Sequence, residues 1–278
     1  MRSWRTTGVV LGLVLGTFAS LIIGTRALLV RQAAIARARI GKPLGETSID
    51  ADRLWRKSLT GDPIKLLLLG DSLAAGLGAG RRKETLGGRL SKALARATSR
   101  PVYLRTAAVV GSESQALTEQ LDSIPADYRA DVAVIVVGGN DVTHMVPPET
   151  AARHLEQVIS RIAASGTAVV VGTCPDLGTL QAVPQPLRSL LSRRSKRMAA
   201  AQNRVALRAG ALSVSLGIEV GPVFRAEPEE MFSVDRFHPS AAGYRRTAEA
   251  LLPAIIAALR SDEASPHRVA RVSRDEPR

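Results

Sequence analysis

A serine hydroxyl is a weak nucleophile until a neighbouring base takes its proton. A histidine oriented by a carboxylate is one such base. Ser72 stands in Gly70-Asp71-Ser72-Leu73, after the apolar run Ile64–Leu69 (IKLLLL). Of the four histidines, His267 falls near the chain end and His144 follows the Asn140-Asp141 loop. His154 falls in a helical stretch, RHLEQVISRI. That leaves His238, three residues after Asp235 in Asp235-Arg236-Phe237-His238-Pro239. At this spacing the carboxylate can accept from Nδ1–H, fix the tautomer and leave Nε2 facing a serine. An attacked carbonyl becomes an oxyanion and needs donors arranged around it in advance. The backbone N–H groups of Ser72 and Gly111 and the side-chain amide of Asn140 are candidates. Gly111 suits the role because a residue without Cβ lets the backbone approach closely. Taken singly, each of these strings also reads as a turn or a helix cap.

Elements that bring such distant residues together can be read from hydrophobic patterning. The apolar runs are Ile64–Leu69, Val102–Val110, Val132–Val137 (VAVIVV), Ala168–Gly172 (AVVVG) and a weaker Leu212–Val220. Helical stretches lie between and after them, near 84–98, 112–123, 149–165, 185–209 and 240–259. Continuous Val, Ile and Leu runs mark strands buried on both faces, and their alternation with helices marks a parallel sheet. The prediction is a three-layer α/β/α domain over 61–260 with about five strands. In such a sheet functional groups gather beyond the C-terminal strand ends. Gly70-Asp71-Ser72 follows the first run, Gly111-Ser112 the second and Gly138-Gly139-Asn140-Asp141 the third. Asp235–His238 precedes the last helix, so all four should share one rim. A serine elbow of the α/β-hydrolase type needs glycine two positions after the serine, and Ala74 stands there.

This arrangement resembles the SGNH (GDSL) hydrolase family over about residues 64–259. Its four blocks match in order: GDSL at Gly70–Leu73, the block-two glycine at Gly111, GxND at Gly138–Asp141 and DxxH at Asp235–His238. Block two is the loosest match, because Ala107-Ala108-Val109-Val110 replaces a more polar approach. The resemblance implies a flavodoxin-like fold and a serine esterase or lipase. It assigns Ser72, Asp235 and His238 to catalysis and Ser72, Gly111 and Asn140 to the oxyanion hole. No cofactor or metal is implied. The implied partner is a small ester or an acylated lipid or sugar. The same site could pass its acyl group to a sugar or lipid hydroxyl, or the fold could serve as a non-catalytic lipid- or glycan-binding module. Asp71 and Asp141 read as capping or orienting neighbours.

Composition narrows the remaining classes. The 278 residues carry a net charge of +13. The excess sits in residues 1–60, with ten Lys and Arg against three Asp and Glu, and in 181–210, with seven against none. No nucleic-acid recognition motif accompanies it, and aromatic residues are only 3%, too few for base-stacking platforms. Two basic blocks fit an anionic membrane surface better. The uncharged run 8–25, after Arg2 and Arg5, predicts an N-terminal signal anchor or transmembrane segment over 1–30. A juxtamembrane connector follows over 31–60, broken at Gly41, Pro43 and Gly45. The catalytic domain is expected outside the cytoplasm, and 261–278 is expected to be a disordered tail. The single cysteine, Cys174, excludes an internal disulfide and a cysteine-based zinc site, and reads as a small buried hydrophobe.

Overall fold

The computed structural model describes residues 3–263, with side chains described over 20–21 and 23–261. A long N-terminal helix, α1 (Ser3–Ile40), precedes strand β1 (Arg53–Trp55). Then come β2 (Ile64–Gly70), α2 (Ser72–Ala75), α3 (Leu86–Thr98), β3 (Val102–Thr106) and α4 (Leu117–Asp122). Next are β4 (Val132–Val136), α5 (Gly139–Thr143), α6 (Pro148–Ala164) and β5 (Ala168–Gly172). The chain continues through α7 (Leu187–Arg208), β6 (Leu212–Val214) and three short helices, α8 (Leu216–Glu219), α9 (Gly221–Ala226) and α10 (Pro228–Met231). The last described element is α11 (Ala241–Glu263).

The sheet order is β1-β3-β2-β4-β5-β6. Five strands run parallel, and β1 pairs antiparallel with β3 at the edge. Alternate residues of the central strands face opposite layers. Leu66, Leu68, Val134 and Val170 pack with Leu90 and Leu94 of α3 and Tyr244, Leu251 and Ile255 of α11. Leu67, Leu69, Ile135 and Val171 pack with Leu117 of α4, Leu155 and Ile159 of α6 and Val205 of α7. Burying each such Leu, Ile or Val contributes about 1.5–3 kcal/mol, which is why both faces must be covered. The register sets Gly70 beside Val136 and Val136 beside Gly172. The ends of β2, β4 and β5 therefore form one level rim.

Three expectations change. The sheet has six strands, since β1 lies within the segment read as a connector; three residues carry no readable period. The run Val102–Val110 is a strand only to Thr106. Beyond it the N–H groups of Ala107 and Val109 still reach Leu68 and Gly70 carbonyls at 2.8 and 3.1 Å, and the chain then turns at Gly111, φ +84°. The weak run at Leu212–Val220 is a three-residue strand followed by α8.

Among the described residues no helix is long and apolar enough to cross a membrane. The predicted span over 1–30 falls largely on residues 1–19 and 22, whose side chains lie outside the described residues, as does the tail from 264 onward. The later turns of α1 pack on the domain. Gln32 is buried, accepts the Leu187 N–H at 2.9 Å and donates to the Gln185 carbonyl, while Ala36 is buried beside Leu180 and Leu191.

Candidate active site

Strand β2 ends at Gly70 with φ +134°, and a Cβ there would lie 1.8 Å from the Val136 carbonyl oxygen. Only glycine fits, and the close approach lets Asp71 donate its N–H to that carbonyl at 3.0 Å. Asp71 then caps α2, its Oδ1 accepting the Leu73 N–H at 3.0 Å, and Ser72 is the first helical residue. Its hydroxyl lies 2.9 Å from His238 Nε2. On the far side of the ring, Nδ1 lies 2.5 Å from Asp235 Oδ2.

The loop that carries the histidine is fixed by its own aspartate. Asp235 Oδ1 accepts the N–H groups of Phe237 and His238, each at 3.0 Å, and Arg236, just before them, takes φ +57°. Asp and Asn favour such turns because the side chain reaches the backbone two residues on. The His238 carbonyl accepts from Ser233, and a bridge between Phe232 and Pro239 closes the loop. Asp235 is nearly buried, which pushes its carboxyl up. The His238 ring and the two backbone donors more than offset this, and its pKa lies below the ordinary value.

The other side of the rim is built from the ends of β3 and β4. Asn140, in α5, donates from Nδ2 to the Ser112 carbonyl at 2.9 Å, which ties it to the residue after Gly111. Gly111 is exposed, and a Cβ there would meet nothing within 4 Å, so its glycine is required by φ and not by crowding. Asp141 is buried and accepts from the Ser114 N–H and hydroxyl, all at 3.1 Å; burial raises its pKa. Asp71 is raised further, to about 6, chiefly by burial, with Leu73, Gly139 and His238 opposing.

The structure thus brings Ser72, His238 and Asp235 into one hydrogen-bonded row and ties Asn140 to Ser112, the residue after Gly111. Of the other histidines, His144 lies 2.6 Å from Glu113 on the rim, His154 lies in α6, and His267 is outside the described residues. Cys174 is buried, and burial, then Asp71 and Asp141, hold its thiol well above the ordinary range. In the basic stretch Arg188–Arg208, Arg204 and Arg208 pair with Glu149 and Glu156 of α6, whereas Arg193, Lys196 and Arg197 are exposed. Among the described residues no group of three or more His, Cys, Asp or Glu is arranged to hold a metal ion.

Two glutamines escaped the sequence reading. Gln120 of α4 accepts the Gly70 N–H and donates to the Gly70 carbonyl, both at 2.8 Å, and also donates to the Ser112 hydroxyl at 3.1 Å. Gln202 of α7 accepts the Cys174 N–H at 2.7 Å and donates to the Val137 carbonyl at 3.0 Å. Their signal was present: Gln202 lies four residues after Met198 and three before Val205, on the buried stripe of its helix.

Comparison with known proteins identifies the family. Residues 68–246 match the GDSL-like lipase/acylhydrolase family. The GDSL-like esterase Rv1075c of Mycobacterium tuberculosis is 39% identical over 248 residues, which cover 85% of this chain and 78% of that protein. Among solved structures, LAE5, an alpha/beta hydrolase from the Lake Arreo metagenome, has a TM-score of 0.58 at 20% identity, covering 70% of this chain and 96% of its own. A lipase/acylhydrolase from Enterococcus faecalis has a TM-score of 0.55 at 21% identity, covering 68% and 94%. These two likenesses carry the fold. The chain belongs to the GDSL-like lipase/acylhydrolase family and is a GDSL-type esterase.

Proposed function

We propose that the enzyme cleaves esters through an acyl-enzyme on Ser72. The Ser72 Oγ attacks the ester carbonyl while its proton passes to His238 Nε2, and Asp235 holds the Nδ1–H and stabilises the imidazolium that forms. The carbonyl oxygen, now an oxyanion, accepts from the Ser72 and Gly111 N–H groups and from the second Nδ2 hydrogen of Asn140. The first Nδ2 hydrogen is already committed to Ser112, so the second has a fixed direction before substrate arrives. Donors oriented in advance cost no reorganisation as charge develops. When the ester bond breaks, the leaving alkoxide takes the proton from His238. Water then attacks the acyl-serine, gives its proton to His238, and the proton returns to Ser72 as the acid departs.

The observation that carries this reading is the row Ser72–His238–Asp235, with separations of 2.9 and 2.5 Å. The substrates are small esters or acylated lipids and sugars. Ser72→Ala and His238→Ala should each remove nearly all hydrolysis of p-nitrophenyl acetate in a folded protein. A fluorophosphonate probe should label the wild type and spare Ser72→Ala. Wild-type turnover in Ser72→Ala would refute the proposal.

A further inference from the structure

An apolar groove of about 800 Å³ runs beside the catalytic row, within the size range of small-molecule sites. Its lining includes Phe237, the residue before His238, Thr143 at the end of α5, and His144 and Met145 just after it. The groove is therefore bordered by the chain next to His238 and by the chain just after Asn140. Leu180, Val183 and Leu191 of the domain line one side of it. The facing wall is α1, through Leu21, Thr25, Leu29, Ala33 and, farther along, Ile40. The four-residue spacing from Leu21 to Ala33 keeps these side chains on one helical face. Helix α1 lies outside the stretch that matches the family, residues 68–246.

The later turns of the wall are fixed in place. The buried Gln32 carboxamide is held at its oxygen by the Leu187 N–H and at its nitrogen by the Gln185 carbonyl. Arg39 adds a contact to the Ala182 carbonyl at 3.4 Å. An amide satisfied at both ends fixes the rotation of the helix as well as its distance, so the same apolar face is always presented. Arg26 and Arg37 border the groove and are exposed, which leaves their charged ends in water and the wall apolar.

Resting on the reading of Ser72 as nucleophile, we infer that α1 is a specificity-determining element that completes the groove for an aliphatic chain of the ester. The preferred substrates then carry a long apolar chain on one side of the ester bond, in place of an acetyl or similar short group. Each methylene buried along such a wall favours binding by about fourfold, so a chain of eight to ten carbons dominates the choice of substrate. The shared chemistry is the chain; it belongs either to the acyl or to the alcohol part.

The test uses the full-length protein in mild detergent with two substitutions outside the catalytic row. Ala33→Trp fills the groove from α1, and Leu29→Gln makes the same wall polar. kcat/KM is measured on p-nitrophenyl acetate, p-nitrophenyl decanoate and decyl acetate below their micellar limits. The wild type should prefer one of the two long-chain esters over p-nitrophenyl acetate. Both variants should hydrolyse p-nitrophenyl acetate within twofold of wild type and lose at least tenfold on the preferred long-chain ester. A loss on decanoate assigns the groove to the acyl chain, and a loss on decyl acetate assigns it to the alcohol. The inference is overturned if the wild type prefers p-nitrophenyl acetate, if neither variant affects either long-chain ester, or if acetate hydrolysis falls in parallel in both. Survival of acetate hydrolysis in Ser72→Ala is a separate result and refutes the nucleophile instead.

Discussion

Replacing Asp235 by asparagine preserves the outline of the side chain and reverses one hydrogen bond. Oδ1 of the native carboxylate accepts two backbone N–H groups at 3.0 Å, and Oδ2 accepts from His238 Nδ1 at 2.5 Å. An asparagine must keep its oxygen toward the two backbone donors, because the opposite orientation sets donor against donor twice. Its NH2 then faces Nδ1, which must become an acceptor. The ring proton moves to Nε2, and His238 donates to Ser72 where it should accept. The base is disabled with no displacement of a heavy atom. Wrong-tautomer substitutions of this kind cost about 10⁴ in kcat, or roughly 5 kcal/mol of barrier. Stability should change much less, since both backbone bonds survive and one charge-assisted bond becomes neutral, a loss of about 1–2 kcal/mol. The wild-type carboxyl titrates below its ordinary value, so that stability is present above about pH 4 and is lost as pH falls through the folded value. The assay is p-nitrophenyl acetate turnover at pH 7 beside a thermal melt. A folded Asp235→Asn retaining more than a tenth of wild-type kcat refutes the reasoning.

With Asn140 as the proposed oxyanion donor, Asn140→Ala should lower kcat by about 10²–10³ with KM little changed; a pure KM effect in steady-state kinetics would assign Asn140 to ground-state binding. Asp71 should make the fold less stable as pH rises from about 4 to 6, because its folded pKa of about 6 lies above the unfolded value. The penalty is full above that window, at most about 3 kcal/mol. Melts of wild type and Asp71→Asn from pH 4 to 8 should therefore diverge across it, and a constant difference counts against the assignment. Gln120→Leu strands the buried Gly70 N–H, while the Gly70 carbonyl keeps the Val109 N–H, so denaturant titration should register a loss of about 1–3 kcal/mol. A change under 1 kcal/mol would mean that Gln120 does not hold the strand end.

The central sheet was legible because β2, β4 and β5 are buried on both faces and so are nearly all Val, Ile and Leu. Ser72 and Asn140 stood out as candidates because each follows such a run, where a parallel sheet gathers its functional groups, and Gly111 because it follows the more mixed run from Val102. Asp235 and His238 were found from chemistry, as a carboxylate and a base at a spacing that lets one hold the other. What stayed hidden has no local signature. Arg53–Trp55 is too short to display a period and pairs only at an edge. The strand at Val102 could not be told from the loop after it, since Ala107–Val110 is as apolar as what precedes it. The packing of α1 turns on Gln32, a polar residue whose partners lie about 150 positions away. No window along the chain contains both.

Gln202 separates two jobs that a single loop would otherwise share. It grips the Cys174 N–H and the Val137 carbonyl from α7, so the ends of β4 and β5 are held by a helix and not by the segment that joins β5 to it. That segment, Pro175–Pro186, lines part of the apolar groove through Leu180 and Val183. Asn140 and the strand ends therefore do not depend on that segment to keep their places. The wall of the groove and the level rim of the sheet are thus secured by different contacts.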